Sequence, residues 1–241
     1  MKICIDPGHG GKQPGCSAGG YLEKNLNLKV ALKLRDKLQK VGVSVVMTRT
    51  TDVDINLTTR AKISNNAKAD YFISIHHNAG GGHGYEVIYA LCGGKSLQLA
   101  NNVAAQFDAM GQKKHNVYSK KGSDGRDYFA VIRQTIAPAI ISEFGYMDTD
   151  DIKLFNTDAG QEKEAEALFK AICNQAGIKQ PVVQVPQKIA FIPDAHPGYD
   201  EILPGRRIIH LNKYTYISMD EGATSDSIWL YAKGKQPKRL I

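Results

Sequence analysis

The sequence predicts an α/β protein with a largely parallel, twisted sheet flanked by helices, followed by a small all-β C-terminal domain. Short apolar, β-branched segments alternate with amphipathic helical segments through about the first 180 residues, an order typical of parallel sheets with helices on both faces. Beyond that point, short strand-like segments are separated by Pro-Gly, Asn-Lys and Glu-Gly pairs. Such turn residues at short intervals favour a small β unit.

The first two elements show the pattern most clearly. Residues 3–6 form a short apolar segment typical of a strand. An amphipathic helix that ends at Gly42 is predicted next, because leucine or valine recurs every fourth residue, at Leu26, Val30, Leu34 and Leu38. The later elements of this part are strands at 43–48, 71–75, 85–90 and 138–142 and helices at 57–67, 95–110 and 161–176.

Residues 179–187 predict an extended linker, since they contain two prolines, several glutamines and no acidic residue. We therefore expect one domain at 1–178 and a second, small β domain at 188–241. Strand candidates in the second domain are 188–192, 206–211, 214–219 and 227–231.

Composition and charge exclude several classes of protein. The 241 residues are 42% hydrophobic and 23% charged, which excludes a disordered chain, a collagen-like repeat and a disulfide-stapled miniprotein. No apolar run approaches the roughly 18 residues of a membrane span. The four cysteines form no C-x-x-C pair and indicate no site. The net charge of +7 favours polyanionic partners such as anionic wall polymers, but the basic residues form no block or basic helix, so nucleic acid is not expected.

The first strand begins almost at Met1, with no basic start, apolar stretch and small-residue cleavage site before it. We therefore expect a protein made in the cytoplasm without a signal peptide.

Histidines follow two of the predicted strands. His9 lies in the glycine-rich run at 6–11, His76 and His77 end the strand that begins at residue 71, and Glu23 precedes the first helix. The carboxyl ends of parallel strands are the usual ligand-binding edge of such a sheet. Two histidines and a glutamate with an open fourth position are a catalytic zinc arrangement. The spacing is no short-range metal signature, so loop histidines that only fill turns stay an alternative.

Six sequence elements occur in order along residues 1–177 and resemble the zinc-dependent N-acetylmuramoyl-L-alanine amidases of the amidase-3 family, which includes bacterial autolysins and phage endolysins. The elements are Asp-Pro-Gly-His-Gly-Gly at 6–11, Leu-Glu-Lys-Asn-Leu-Asn-Leu at 22–28, Thr-Arg at 48–49 with Asp52, Leu57 and Arg60, Ser-Ile-His at 74–76 with Asn78, Gly-Tyr-Glu at 84–86, and Pro-Ala-Ile-Ile-Ser-Glu-Phe-Gly-Tyr at 138–146.

The resemblance implies hydrolysis of the amide between N-acetylmuramic acid and the L-alanine of the peptidoglycan stem peptide, leading to cell-wall lysis. His9, Glu23 and His76 match the zinc ligands of the family, and Glu143 matches its catalytic glutamate. The apolar residues before Glu143 favour a raised pKa, as a general base needs. A salt-bridged carboxylate at the end of a strand is the structural alternative for Glu143.

His77 departs from the family pattern, in which the residue after the ligand histidine is usually small. Adjacent strand residues point to opposite faces, so His76 and His77 cannot easily bind one metal. We expect His77 to line the substrate groove with Asn78, or to cap a loop. For Glu86, a structural role and a substrate contact are both open.

Arg49 and Arg60 are expected to be structural and to pair with Asp52 or with neighbouring carbonyls. We expect the C-terminal domain to bind the cell wall, because endolysins often carry a wall-binding module after the amidase domain and the aromatic residues here suit stacking on sugars or peptides. The alternative is that these aromatics form a small core or dimer contacts; they are Tyr199, Tyr214, Tyr216, Trp229 and Tyr231.

Two other functions stay open: a zinc peptidase that cuts within the stem peptide, and a non-catalytic wall-binding protein on the same fold. The expected partner is peptidoglycan, reached after release from the producing cell, by phage-type lysis or by lysis of a mother cell.

Overall fold

The computed structural model describes residues 1–179 and, beyond them, the backbone of four short strands. The elements of residues 1–179 are, in chain order, β1 (Lys2–Pro7), β2 (Ser17–Ala18), β3 (Tyr21–Leu22), α1 (Glu23–Lys40), β4 (Ser44–Met47), α2 (Leu57–Ala67), β5 (Tyr71–Asn78), β6 (Tyr85–Tyr89), α3 (Gly94–Ala109), β7 (Lys114–Tyr118), α4 (Ala130–Gln134), β8 (Ala139–Tyr146), a 3-10 helix (Asp150–Leu154) and α5 (Asp158–Ala176). Every strand and helix predicted in this part is present, with bounds shifted by a few residues.

Six strands form one sheet in the order β4-β1-β5-β8-β6-β7. Strand pairs β1–β4, β1–β5, β5–β8 and β6–β7 are parallel, and β6 runs antiparallel to β8. The predicted α/β class with a largely parallel sheet is confirmed. The central strands β5 and β8 are buried along almost their whole length, as expected for strands covered on both faces.

Helices cover both faces of the sheet. Helix α5 packs against α1 and α3, while α2 packs against α4. Alternate residues of one strand reach the two faces, so Ile3 and Ile5 of β1 lie in the larger apolar cluster and Cys4 lies in the smaller one. Burying a large aliphatic side chain contributes about 1.5–3 kcal/mol, and both clusters contain many of them.

The helix ends follow ordinary capping chemistry. Asn56 caps α2 by accepting the Thr59 N–H at 2.8 Å, and Thr157 caps α5 by accepting the Gly160 N–H at 3.1 Å. Helix α5 ends at Gly177, whose left-handed backbone has φ 64°. No helix in the part of the chain that the structure describes is both long enough and apolar enough to cross a membrane.

The chain divides into two compact units, Met1–Pro181 and Val182–Ile241. In the second unit, β9 (Arg207–Leu211) pairs antiparallel with β10 (Tyr214–Ser218), and β11 (Trp229–Leu230) pairs antiparallel with β12 (Lys238–Arg239). The linker beyond residue 179 and the strand predicted at 188–192 lie outside the described residues. The domain limits and a wall-binding role for the second unit therefore stay predictions.

Candidate active site

The site lies at the carboxyl ends of three neighbouring strands. His9 follows β1, His76 is near the end of β5, and Glu143 is in β8. His76 and Glu143 are register partners in the parallel pair, so their side chains share one face of the sheet. Glu23 is the first residue of α1, where a carboxylate is favoured by the helix dipole.

His9, Glu23 and His76 form a cluster whose potential ligand atoms all lie within 4.8 Å of one another. Oε2 of Glu23 lies 3.1 Å from Nε2 of His9, and Oε1 lies 2.9 Å from Nδ1 of His76. The two imidazole rings meet edge to face, with centroids 4.9 Å apart. The predicted grouping of these three residues is what the structure shows, whereas loop histidines that only fill turns would lack this convergence.

The cluster fits a metal ion in its donor chemistry. Two imidazole nitrogens and one carboxylate are a ligand set used for catalytic transition metals. Burial alone would raise the pKa of Glu23, but hydrogen bonds with His76 and His9 outweigh it and hold this pKa well below its ordinary range. Gly15 leaves room for the carboxylate, since a Cβ there would lie 2.3 Å from Oε2 of Glu23. Glu23 is therefore a charged carboxylate with closely packed surroundings, as a cation ligand needs to be.

Two buried arginines hold the loop that carries His9. Arg60 donates to Oδ1 of Asp6 at 2.7 Å and to the His9 carbonyl at 2.6 Å. Arg49 donates to the Gly8 carbonyl at 2.9 Å and to the Pro7 carbonyl at 3.0 Å. His9 itself has a left-handed backbone with φ 61°, which costs energy in a residue other than glycine. The arginine contacts to its loop stabilise that conformation.

The structural role predicted for Arg49 and Arg60 agrees with these contacts, and their partners are backbone carbonyls and Asp6. Asp52 pairs elsewhere: its carboxylate accepts from Nζ of Lys24 at 2.6 Å and from the Gly11 N–H at 2.7 Å.

Glu143 is partly buried, and its Oε2 is buried without a hydrogen-bond partner among the described residues. Burial raises the pKa of Glu143 to about 8; the charge of His76 opposes the shift, and the carboxylates of Glu23 and Glu86 add to it. No ion pair holds this side chain within the described part of the chain, which argues against the salt-bridged alternative. A carboxylate with a free oxygen and a raised pKa beside three candidate metal ligands is suited to proton transfer.

Open grooves flank the cluster on two sides. One, of about 540 Å³, is lined by His9, His76 and Glu143 together with residues that include Leu57 and Phe129. The other, of about 350 Å³, reaches Gly15, Asn78 and Ala79. The substrate contact expected of Asn78 stays a prediction, and the position of Asn78 beside the cluster is compatible with it.

His77 borders the smaller groove through its backbone, and the expected substrate contact by its side chain is wrong. Its ring is wholly buried and points to the opposite face of β5 from His76, as strand alternation requires. There it stacks on Phe155 with ring centroids 4.2 Å apart. A ring in this position has no surface to offer a substrate.

Glu86, on β6, is the register partner of Glu143 on β8. His76, Glu143 and Glu86 therefore lie side by side on three neighbouring strands. Both Tyr118 and Tyr146 donate to the Glu86 carboxylate at 3.2 Å. Burial and the Glu86 charge raise the pKa of each tyrosine to about 12, so both phenols are neutral donors. The sequence left Glu86 open between two roles and did not place Tyr118 and Tyr146 beside it, because their convergence depends on strand register.

Comparison with known proteins agrees with this geometry. Residues 3–174 match the amidase-3 family, described as N-acetylmuramoyl-L-alanine amidase. The N-acetylmuramoyl-L-alanine amidase CwlM of Bacillus licheniformis is 36% identical over 71% of this chain and 64% of its own length. A sporulation-specific N-acetylmuramoyl-L-alanine amidase of Bacillus subtilis is 38% identical over 62% of this chain and 57% of its own length. The matched region thus spans about three fifths of each of these relatives.

Solved structures give the same result. The catalytic domain of CwlV, an N-acetylmuramoyl-L-alanine amidase from Bacillus (Paenibacillus) polymyxa var. colistinus, aligns with a TM-score of 0.67 at 30% identity, over 74% of this chain and 99% of that one. Cwp6 from Clostridium difficile aligns with a TM-score of 0.70 at 32% identity, over 72% of this chain and 29% of that one. The chain therefore belongs to the amidase-3 family of N-acetylmuramoyl-L-alanine amidases.

Proposed function

We propose that this protein hydrolyses the amide bond between N-acetylmuramic acid and L-alanine in peptidoglycan, using a zinc ion and Glu143. The observation that carries the proposal is the placement of Glu143, whose carboxylate has a free, buried oxygen and is the register partner of His76. A binding protein without activity has no need of such a side chain. The names of the relatives support the choice of bond.

His9, Glu23 and His76 are the residues that would hold zinc. When bound, zinc supplies Lewis-acid chemistry, polarising a carbonyl and making a water molecule more acidic. His9 and His76 border both grooves and Glu23 borders the smaller one, so a carbonyl and a water can reach these side chains from the open side. Three protein ligands would leave one position of a bound zinc for water or substrate, as in catalytic rather than structural zinc sites.

Glu143 moves the proton in this reaction. Its carboxylate takes a proton from the attacking water as the oxygen adds to the amide carbon. The same proton then passes to the nitrogen of L-alanine as the carbon–nitrogen bond breaks, so the amine leaves neutral and the carboxylate is regenerated. The pKa of about 8 describes the side chain without a cation nearby, and the positive charge of zinc would lower it.

The two grooves suit a substrate that extends on both sides of the broken bond. In peptidoglycan, a glycan strand continues on one side of that amide and a peptide on the other. The net charge of +7 also favours binding to an anionic wall.

Mass spectrometry of products from purified peptidoglycan tests the proposal, with zinc-loaded protein, EDTA-treated protein and Glu143→Ala in parallel. We expect free stem peptides that begin with L-alanine, and peptide-free glycan, with the zinc-loaded wild type alone. Shortened stems still attached to muramic acid would show a peptidase instead. Sedimentation with the wall and no cleavage would leave a binding protein.

A further inference from the structure

His77, in β5 next to the candidate metal ligands, connects its strand to helices α1 and α5. Its Nδ1 lies 2.8 Å from Oδ1 of Asn27 in α1, and its Nε2 lies 3.1 Å from Oε2 of Glu164 in α5. The side chains of His77 and Glu164 are both 0% exposed. Ionisable groups are rarely buried to this extent, and together they bring α5 into contact with the active-site strand β5.

Asn27 extends this connection to Glu23, one of the candidate metal ligands. Its Nδ2 donates to Oε1 of Glu23 at 3.1 Å and to the Gly8 carbonyl at 3.2 Å. Asn27 lies four residues after Glu23 in α1, so the two side chains share one face of the helix. The backbone N–H of His77 also donates to Oε1 of Glu23, at 3.3 Å.

The neighbours of Asn27 determine which way its amide points. Both oxygens beside Nδ2, on Glu23 and Gly8, are acceptors, so Oδ1 must face His77 and accept a hydrogen bond from Nδ1–H. Glu164 engages the other ring nitrogen. The imidazole is therefore held at both ends and cannot turn without breaking two buried hydrogen bonds.

We propose that Glu164, His77 and Asn27 form a positioning chain that fixes the Glu23 carboxylate for metal binding. The inference rests on the proposed zinc site. It assigns His77 a role through Glu23 instead of the substrate contact that its sequence position suggested, and it extends the metal centre to helix α5. Outer-shell hydrogen bonds that orient a metal ligand change metal affinity by about 10–100-fold.

The main test replaces the buried pair by apolar residues of similar size, in the full-length double variant H77F/E164M. Phe at position 77 keeps the stacking on Phe155, and replacing both partners of a buried hydrogen bond by apolar groups of similar shape is often neutral or stabilising. The dissociation constant for zinc is measured by competition with a chromophoric chelator. We expect it to rise about 10–100-fold, while the melting temperature without metal does not fall.

Asn27→Ala interrupts the positioning chain at the residue that contacts Glu23, and it tests the proposal alone if the double variant does not fold. It should weaken zinc binding similarly. The triple variant N27A/H77F/E164M should lose no more zinc affinity than whichever of Asn27→Ala and H77F/E164M loses more. Substitutions that interrupt the same series of hydrogen bonds are not additive. Ser64→Ala, which alters a buried hydroxyl in α2, is the control and should leave zinc affinity unchanged.

Wild-type zinc affinity in Asn27→Ala, or in a folded H77F/E164M, would overturn the positioning chain and leave the proposed function standing. Absence of zinc binding by the wild type would overturn the metal centre and this inference together.

Discussion

Gly8 lies directly against the imidazole of His76: a Cβ built on Gly8 would lie 2.2 Å from Cε1 and 2.3 Å from Nε2 of that ring. Gly8→Ala should therefore push His76 away from Glu23 and His9. A misplacement of about 1 Å at a reacting centre can reduce a rate by about 100-fold, and we expect a fall in kcat/KM of this order on peptidoglycan.

Gly122→Ala provides the matched control, because the nearest atom to a Cβ there is a side-chain oxygen of Asp124 at 3.1 Å, and the nearest backbone atom is 3.4 Å away. It should keep the wild-type kcat/KM. Wild-type activity in Gly8→Ala would show that the His76 ring can shift without loss of function.

Glu143→Gln should keep zinc and lose turnover. The amide has nearly the shape of the carboxylate but cannot accept the proton of the attacking water, and general-base catalysis contributes about 10²–10⁴-fold in rate. Zinc content by elemental analysis and kcat on peptidoglycan measure the two effects separately. A rate near that of the wild type would move the role of base to another residue.

Removal of the metal should lower stability. An ion that binds the folded state alone stabilises it by about 2.7 kcal/mol when its free concentration is 100 times the dissociation constant. Thermal unfolding with EDTA and then with added zinc should show a melting temperature that rises with zinc concentration. Glu23→Gln removes the anionic ligand, and its melting temperature should respond far less to zinc.

Asp6→Ala should destabilise the protein strongly, because it leaves the Arg60 guanidinium buried without its carboxylate partner. Arg60 and Asp6 are 4% and 1% exposed at their side chains, and breaking a buried pair of this kind costs about 3–5 kcal/mol. Chemical denaturation of metal-free protein measures the change.

The comparison for that variant is Lys24→Ala, whose partner Asp52 is 45% exposed. Loss of this partly exposed pair should destabilise the protein much less, since solvent screens the charge of Asp52. Equal losses in the two variants would contradict the structural importance assigned to Asp6 and Arg60.

The sequence predicted the parallel part of the sheet because its strands are short apolar runs separated by periodic helices. It did not predict β7 or the direction of β6. Strand β7 is an edge strand of composition Lys-His-Asn-Val-Tyr, exposed over its first three residues, so it lacks the apolar pattern of a core strand. A strand buried on both faces has the same apolar composition whichever way it runs, so β6 gave no sign of its antiparallel direction.

The candidate site was predictable to the extent that its residues carry a motif. His9, Glu23, His76 and Glu143 matched the family pattern, and the structure brings them to one edge of the sheet. Glu164 could not be found in this way, because an acidic residue in an amphipathic helix usually faces water. Its burial depends on His77, which is distant in the sequence and reaches Glu164 only once β5 and α5 are packed.

The strand order also affects how the protein is made. A ribosome synthesises all three candidate metal ligands before it reaches β8, the strand that carries Glu143 and pairs with β5. Until then, a nascent chain has an apolar β5 with one edge unpaired, the kind of surface that promotes aggregation. Arrival of β8 covers that edge and brings Glu143 beside the three candidate metal ligands in one step, so protection of the strand edge and completion of the site are a single folding event.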